Sequence, residues 1–224
     1  MLNIDKELYI KKNLSFFNNL SKEEINDLFS SSYIMKYNKG ELIYSKDKAC
    51  AGVILVVSGQ LRSFMSSHSG KEITLFKLFE LDTCVLSSSC VYKNLTYDIS
   101  LEVEQDSYLI IIDSNFFKEL STKNIHVQQF ILDFTQDKLS EIMFVLEQVV
   151  FFSLESRLAN FLVNQSNLNN SVDINLTHSY IANDLGSSRE VISRLLKRFE
   201  NDNLVQISRG SIKILDIKRL KLLC

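Results

Sequence analysis

Residues 176–204 read LTHSYIANDLGSSREVISRLLKRFENDNL. Ile181 and Leu185 stand four apart on one helical face, and Thr177 is placed to cap the start of that helix. Gly186 supplies the left-handed residue that a sharp turn between two helices needs. Ser187 or Ser188 then caps a second helix whose Val191, Ile192, Leu195, Leu196 and Phe199 form one inward stripe. The outward face carries Ser188, Arg189, Glu190, Ser193, Arg194, Lys197 and Arg198. Two helices joined by a short glycine turn make a helix-turn-helix, whose second helix enters the DNA major groove with its N-terminal residues on base edges. Arginine there can bond guanine O6 and N7 together, and glutamate can accept from cytosine N4.

Charge supports that reading once the chain is divided. The whole chain of 224 residues, room for one large or two modest domains, has a formal net charge of −2. Residues 1–152 hold 15 Lys and Arg against 20 Asp and Glu, whereas residues 153–224 hold 10 against 7. The basic excess thus coincides with the helix-turn-helix, as phosphate attraction requires. No signal-peptide pattern and no apolar run long enough to span a bilayer is present, so the expected location is cytoplasmic, with no membrane partner. Four cysteines in such a chain are expected as thiols rather than as a disulfide framework.

Upstream the periodicity changes twice. Residues 1–32 read as helical, with Ser21-Lys22-Glu23-Glu24 forming a capping box ahead of Ile25, Leu28 and Phe29. Short β-type runs follow at Tyr33–Tyr37, Glu41–Ser45, Gly52–Val57, Gln60–Ser66, Lys71–Leu78 and Thr96–Ile112, punctuated by turns that include Ser58-Gly59 and Ser67-His68-Ser69-Gly70. Many short antiparallel strands at this spacing predict a barrel or sandwich. From Asn115 to Val150 the pattern is helical again. Leu132, Leu139, Ile142, Leu146 and Val149 lie on a coiled-coil-like seam with Thr135 its one polar member, while Phe130 and Phe134 occupy the neighbouring face. A second apolar face on a helix, beside a DNA site that should be two-fold symmetric, predicts a homodimer. Ser153 is placed to cap a further helix, which makes Phe151–Ser153 the expected hinge.

The second helix of the opening stretch satisfies both R-E-x-x-x-R and E-x-x-S-R, through Arg189, Glu190, Ser193 and Arg194. With L-T-x-x-x-I-A-x-x-L-G before it, L-K-x-x-E-x-x-x-L after it, and a trailing Val205–Ile214 segment that turns at Arg209-Gly210, the chain resembles the Crp/Fnr family of bacterial transcription regulators. The pieces K-G-E-L-I, V-x-S-G-Q-L-R and S-G-K-E-I-T-L-F extend the resemblance to that family's cyclic-nucleotide-binding-like domain, and so to nearly the whole chain. It implies an α+β protein with an N-terminal antiparallel, jelly-roll-like β-roll over residues 1–114. A long dimerisation helix over 115–150 and a C-terminal winged helix-turn-helix over 153–224 complete it. The implied DNA contacts are Thr177, His178, Ser179, Ser188, Arg189, Glu190, Ser193, Arg194 and Lys197, on a palindromic double-stranded operator, with RNA polymerase as a further partner.

The resemblance fails where cyclic-AMP-binding members hold the nucleotide. Their cassette carries Gly-Glu and then Arg-Ser. Here Leu86-Ser87 and about Tyr97-Asp98 fall in those places, and no arginine lies between Arg62 and Arg157. An aspartate repels phosphate, so cyclic AMP is not expected to bind. A [4Fe–4S] cluster is not expected either, since such clusters take four thiolates and no cysteine precedes Cys50. Cys84, Leu86, Ser87, Cys90 and Tyr97 mark the corresponding effector pocket. Cys84 and Cys90 read either as buried small hydrophobes or as a thiol, metal or haem sensor. His68 and His126 have no ligand spacing to another His or Cys, and no metal site is expected. Haem or another small effector stays open. No phosphate-cradling glycine loop or nucleophile elbow points to an enzyme. The alternative to a DNA reader is a haem-, metal- or thiol-based sensor acting mainly through protein contacts.

Overall fold

The structure, a computed structural model, describes residues 5–45, 52–85 and 99–224. The chain divides into two compact units, residues 1–65 with 75–141 and residues 66–74 with 142–224.

In the first unit α1 (Lys6–Asn13) and a 3-10 turn at Phe17–Asn19 lead into α2 (Lys22–Ser30). The capping box forms as expected: the Glu24 amide donates to Ser21 Oγ at 3.2 Å, and the Ser21 amide donates to Glu24 Oε2 at 2.7 Å. Strands β1 (Ser32–Tyr37), β2 (Leu42–Tyr44), β3 (Val53–Ser66), β4 (Glu72–Leu78), β5 (Thr83–Cys84) and β6 (Ser100–Ile112) form one sheet. Its order is β1-β6-β3-β4, with β2 on β6 and β5 on β3. Period-two alternation sets its faces. Leu101 and Val103 are buried, while the intervening Glu102 meets Arg62 at 3.6 Å and Glu104 meets Lys77 at 3.5 Å.

Two readings change. Ser58-Gly59 does not separate two strands but sits inside β3, where the register against β6 shifts between Val56 and Leu61. Gly59 takes φ +95 there, and a Cβ on it would collide with Ser107 and the Asp106 carbonyl, so a bulge replaces the turn. The helical stretch from Asn115 is also two helices, α3 (Ser114–Lys123) and α4 (Ile125–Phe151). Asn124 ends the first, its amide bonding the Leu120 carbonyl at 2.9 Å, and starts the second by accepting from the His126 amide at 3.0 Å.

On α4, Phe134 is buried and the Phe130 ring meets Phe16 edge-on at 5.1 Å. The seam lies on another side. Leu132, Leu139, Leu146 and Val149 are exposed, and so are Met143, Phe144, Val150 and Phe151. Ile142 is half-buried.

The second unit then runs α5 (Leu154–Asn169), β7 (Asp173–Ile174), α6 (His178–Leu185), α7 (Arg189–Asn201), β8 (Val205–Ser208), β9 (Ser211–Ile214) and α8 (Ile217–Lys221). Ser153 caps α5, accepting from the Ser156 amide at 3.1 Å. The three strands form a small sheet ordered β7-β9-β8, the wing. Leu158, Leu162, Ile181, Ile192, Leu196, Phe199, Val205, Ile212 and Leu220 are fully buried in one core. Each such side chain contributes about 1.5–3 kcal/mol relative to exposure. No helix among the described residues is long and apolar enough to cross a membrane.

Candidate nucleic-acid interface

Local chemistry sets the two helices of the reading head. Thr177 caps α6, its hydroxyl accepting from the Tyr180 amide at 3.1 Å, and Ser188 rather than Ser187 caps α7 by accepting from the Val191 amide. Between them Gly186 takes φ +68 and donates its amide to the Ala182 carbonyl, closing α6 and turning the chain. Arg157 of α5 donates to the Leu185 carbonyl at 2.6 Å, satisfying an acceptor that the end of α6 leaves open. Burial holds the Arg157 guanidinium below its ordinary value. Its sequence surroundings gave no sign of this role, because the partner lies 28 residues away.

The inward stripe of α7 is anchored by Ile192, Leu196 and Phe199, with Val191 and Leu195 partly covered. Arg189, Glu190, Arg194, Lys197 and Arg198 are exposed. Glu190 lies in the first turn of α7, and its carboxyl is held below the usual carboxylate range. The causes are its bond to its own backbone amide, the Ser188 hydroxyl and the nearby charges of Arg189 and Arg194. The tip of the helix therefore offers an ionised acceptor between two guanidinium groups, which matches the edge chemistry of a C·G pair.

Three residues of the outward face differ from a plain solvent-facing array. Ser193 is half-buried, with its hydroxyl 2.8 Å from His178 Nδ1 on α6. Lys197 donates to Glu200 Oε2 at 2.7 Å, and Arg198 pairs with Glu155 of α5 at 3.0 Å. Glu200 also accepts from the Ile207 amide at 2.9 Å, fastening α7 to the first strand of the wing. The Lys197 ammonium and the Ile207 amide hold the Glu200 carboxyl low, the lysine bond being the largest cause.

A cleft of about 470 Å³ separates the N-terminal ends of α6 and α7 from the wing turn. Thr177, His178, Ser179 and Arg189 line one side, and Ile207, Ser208, Arg209 and Gly210 the other. The two arginines and the hydroxyls suit a phosphate backbone. Gly210 takes φ +79 at the wing turn, as the Arg209-Gly210 pair predicted.

Of the residues assigned to the effector pocket, Cys84 lies in β5, buried and opposite Ile54 of β3. Leu86, Ser87, Cys90 and Tyr97, together with Asp98, fall outside the described residues. Ser63 on β3, which sequence reasoning missed, buries a hydroxyl without a partner among the described residues. No group of three or more His, Cys, Asp or Glu among the described residues could hold a metal ion.

Residues 156–223 match the Crp-like helix-turn-helix domain family. A transcriptional regulator of the Crp/Fnr family from Eubacterium rectale ATCC 33656 has a crystal structure similar to this chain at a TM-score of 0.90. It is 35% identical, over 95% of this chain and 98% of that one. Electron transport regulator A of Shewanella oneidensis is 29% identical over 83% of this chain and 76% of its own length. The transcriptional regulatory protein btr of Bordetella pertussis is 25% identical over 84% and 79%. The Crp-like helix-turn-helix over residues 156–223, with the 35% identity over nearly the whole of both chains, places this chain in the Crp/Fnr family of transcription regulators.

Proposed function

We propose that this chain reads a two-fold symmetric operator as a homodimer, under the control of a small effector other than cyclic AMP in the β-roll. In this reading α7 lies in the major groove, with Glu190 and Arg194 on the C·G pair of a T-G-A/T-C-A type half-site. Arg189 reads a second G·C pair. Thr177, Ser179 and Ser188 contact the backbone with Arg209 of the wing. The observation that carries the reading is the ionised Glu190 carboxylate flanked by exposed Arg189 and Arg194 at the tip of α7. The exposed apolar seam of Leu132, Leu139, Leu146 and Val149 supports the dimer, since such a contiguous face on one helix is costly to leave in water. Two reading helices related by the dimer axis would reach half-sites one DNA turn apart, roughly 34 Å. Regulation of RNA polymerase in the cytoplasm follows from the same reading.

The test is operator selection from a random duplex library, followed by competition binding. Arg194→Ala should weaken cognate binding by about 1–3 kcal/mol and flatten discrimination at the C·G pair. Unchanged discrimination would remove Arg194 from the base-reading set.

A further inference from the structure

His178 is the first residue of α6, and Ser193 stands one turn into α7. Their side chains are 15 residues apart in sequence, and both are half-buried, with Nδ1 and Oγ 2.8 Å apart. This is a bond between the two helices of the reading head, made by a residue on the groove-facing side of α7. We propose that His178 is a specificity-positioning residue: its ring fixes the direction in which the Ser193 hydroxyl faces the bases.

The chemistry follows from what each group can donate. A serine hydroxyl has one proton and two acceptor lone pairs, and a neutral imidazole has one donor and one acceptor nitrogen. With the ring proton on Nε2, Nδ1 accepts a hydrogen bond from the serine hydroxyl. Ser193 then shows the groove only its lone pairs. It favours a base that donates there, adenine through N6 or cytosine through N4, over thymine O4. A protonated ring donates from both nitrogens. Ser193 must then accept from Nδ1, and its own proton turns outward, favouring a base acceptor. One proton on His178 thus inverts the hydrogen-bonding sense of a neighbouring reader.

The surroundings set the direction of the switch. Burial, and then the charge of Arg189, hold the His178 ring below its ordinary value of 6.5. The start of α6 also disfavours a cation at this place. Arg189 of α7 and Arg209 of the wing turn are the charged residues lining the cleft that His178 shares. The ring is therefore neutral above 6.5, and with its proton on Nε2 the acceptor arrangement holds there and is lost as pH falls through the lowered value.

This inference rests on α7 being the base-reading helix, and the test separates the two. Competition binding of the full-length protein is measured at about pH 8 and about pH 5, a span that brackets histidine titration. Duplexes substituted singly across the half-site are the competitors. Ser193→Ala identifies the base pair at issue as the one whose preference it abolishes at both values. At that pair the wild-type protein should lose its preference for a donor base over thymine by roughly twofold to tenfold on acidification, the worth of one neutral hydrogen bond. His178→Asn places an amide oxygen that accepts near Nδ1 but does not titrate, so it should keep the high-pH preference at both values. Arg194→Ala must weaken binding throughout; if it does not, α7 is not the reader. If it does, while the wild-type preference is independent of pH, or His178→Asn retains the pH dependence, or Ser193→Ala alters no base pair, the assignment of His178 is overturned.

Discussion

Replacing Arg157 with methionine removes the donor to the Leu185 carbonyl and keeps a side chain of similar reach. The bond is short, 2.6 Å, and charge-assisted. Hydrogen bonds to charged groups contribute about 1.5–3 kcal/mol net, and because Arg157 is only half-buried the lower end, about 1.5 kcal/mol, is the expected loss. Helix α6 has 8 residues, too few to hold its shape without tertiary partners, so the loss falls first on the reading head. For a chain of this size, about 1.5 kcal/mol lowers the melting temperature by about 3–6 °C. Amide exchange at Ile181, Ala182 and Leu185 should accelerate by about tenfold, the same free energy read locally. Arg157→Lys, which keeps the charge but not the planar fork, should fall between the two. A methionine variant that melts within about 1 °C of wild type, with unchanged exchange in α6, would refute the reasoning. It would mean that solvent satisfies the Leu185 carbonyl just as well.

The other expectations concern assembly and control. Ile142→Asp or Leu146→Glu places a charge on the apolar seam of α4; sedimentation should show monomers, and operator affinity should collapse with them. Cyclic AMP should leave operator affinity unchanged, and calorimetry showing micromolar binding in the roll would contradict the reading of Leu86-Ser87 and Asp98 as a lost phosphate site. Cys84→Ser puts a hydroxyl at a buried position opposite Ile54; it should lower the melting temperature without altering how operator binding responds to mild peroxide or zinc. A response present in the wild type and absent in the serine variant would make Cys84 a sensor.

The reading head was legible in the sequence because each of its signals is local. Thr177, Gly186 and the stripe through Ile192, Leu196 and Phe199 act within a few residues of themselves, and the wing turn needs only Arg209-Gly210. Most of what escaped depends on groups distant in the chain. Ser58-Gly59 looks like a hairpin turn until Ser107, across the sheet, fills the space beside Gly59. Asn124 interrupts a helical period without Gly or Pro, by capping both ways with its own amide groups. Ser193 belongs to the outward face by periodicity, yet its hydroxyl is tied to His178 of the neighbouring helix. The cation of Arg157 is invisible as a cap because its carbonyl lies on another helix.

Glu200 fastens the far end of α7 to β8, taking both the Lys197 ammonium and the Ile207 amide. Specificity in such a head therefore does not transplant as a single helix. A graft that carries the outward residues of a related regulator's reading helix onto this chain, but loses the carboxylate at 200, would leave the Ile207 amide and the wing free to shift. The arginine at the wing turn would then address a different phosphate. The smallest exchangeable cassette is the run from His178 to Ile207, and chimaeras cut inside it should inherit the donor's bases with the wrong spacing.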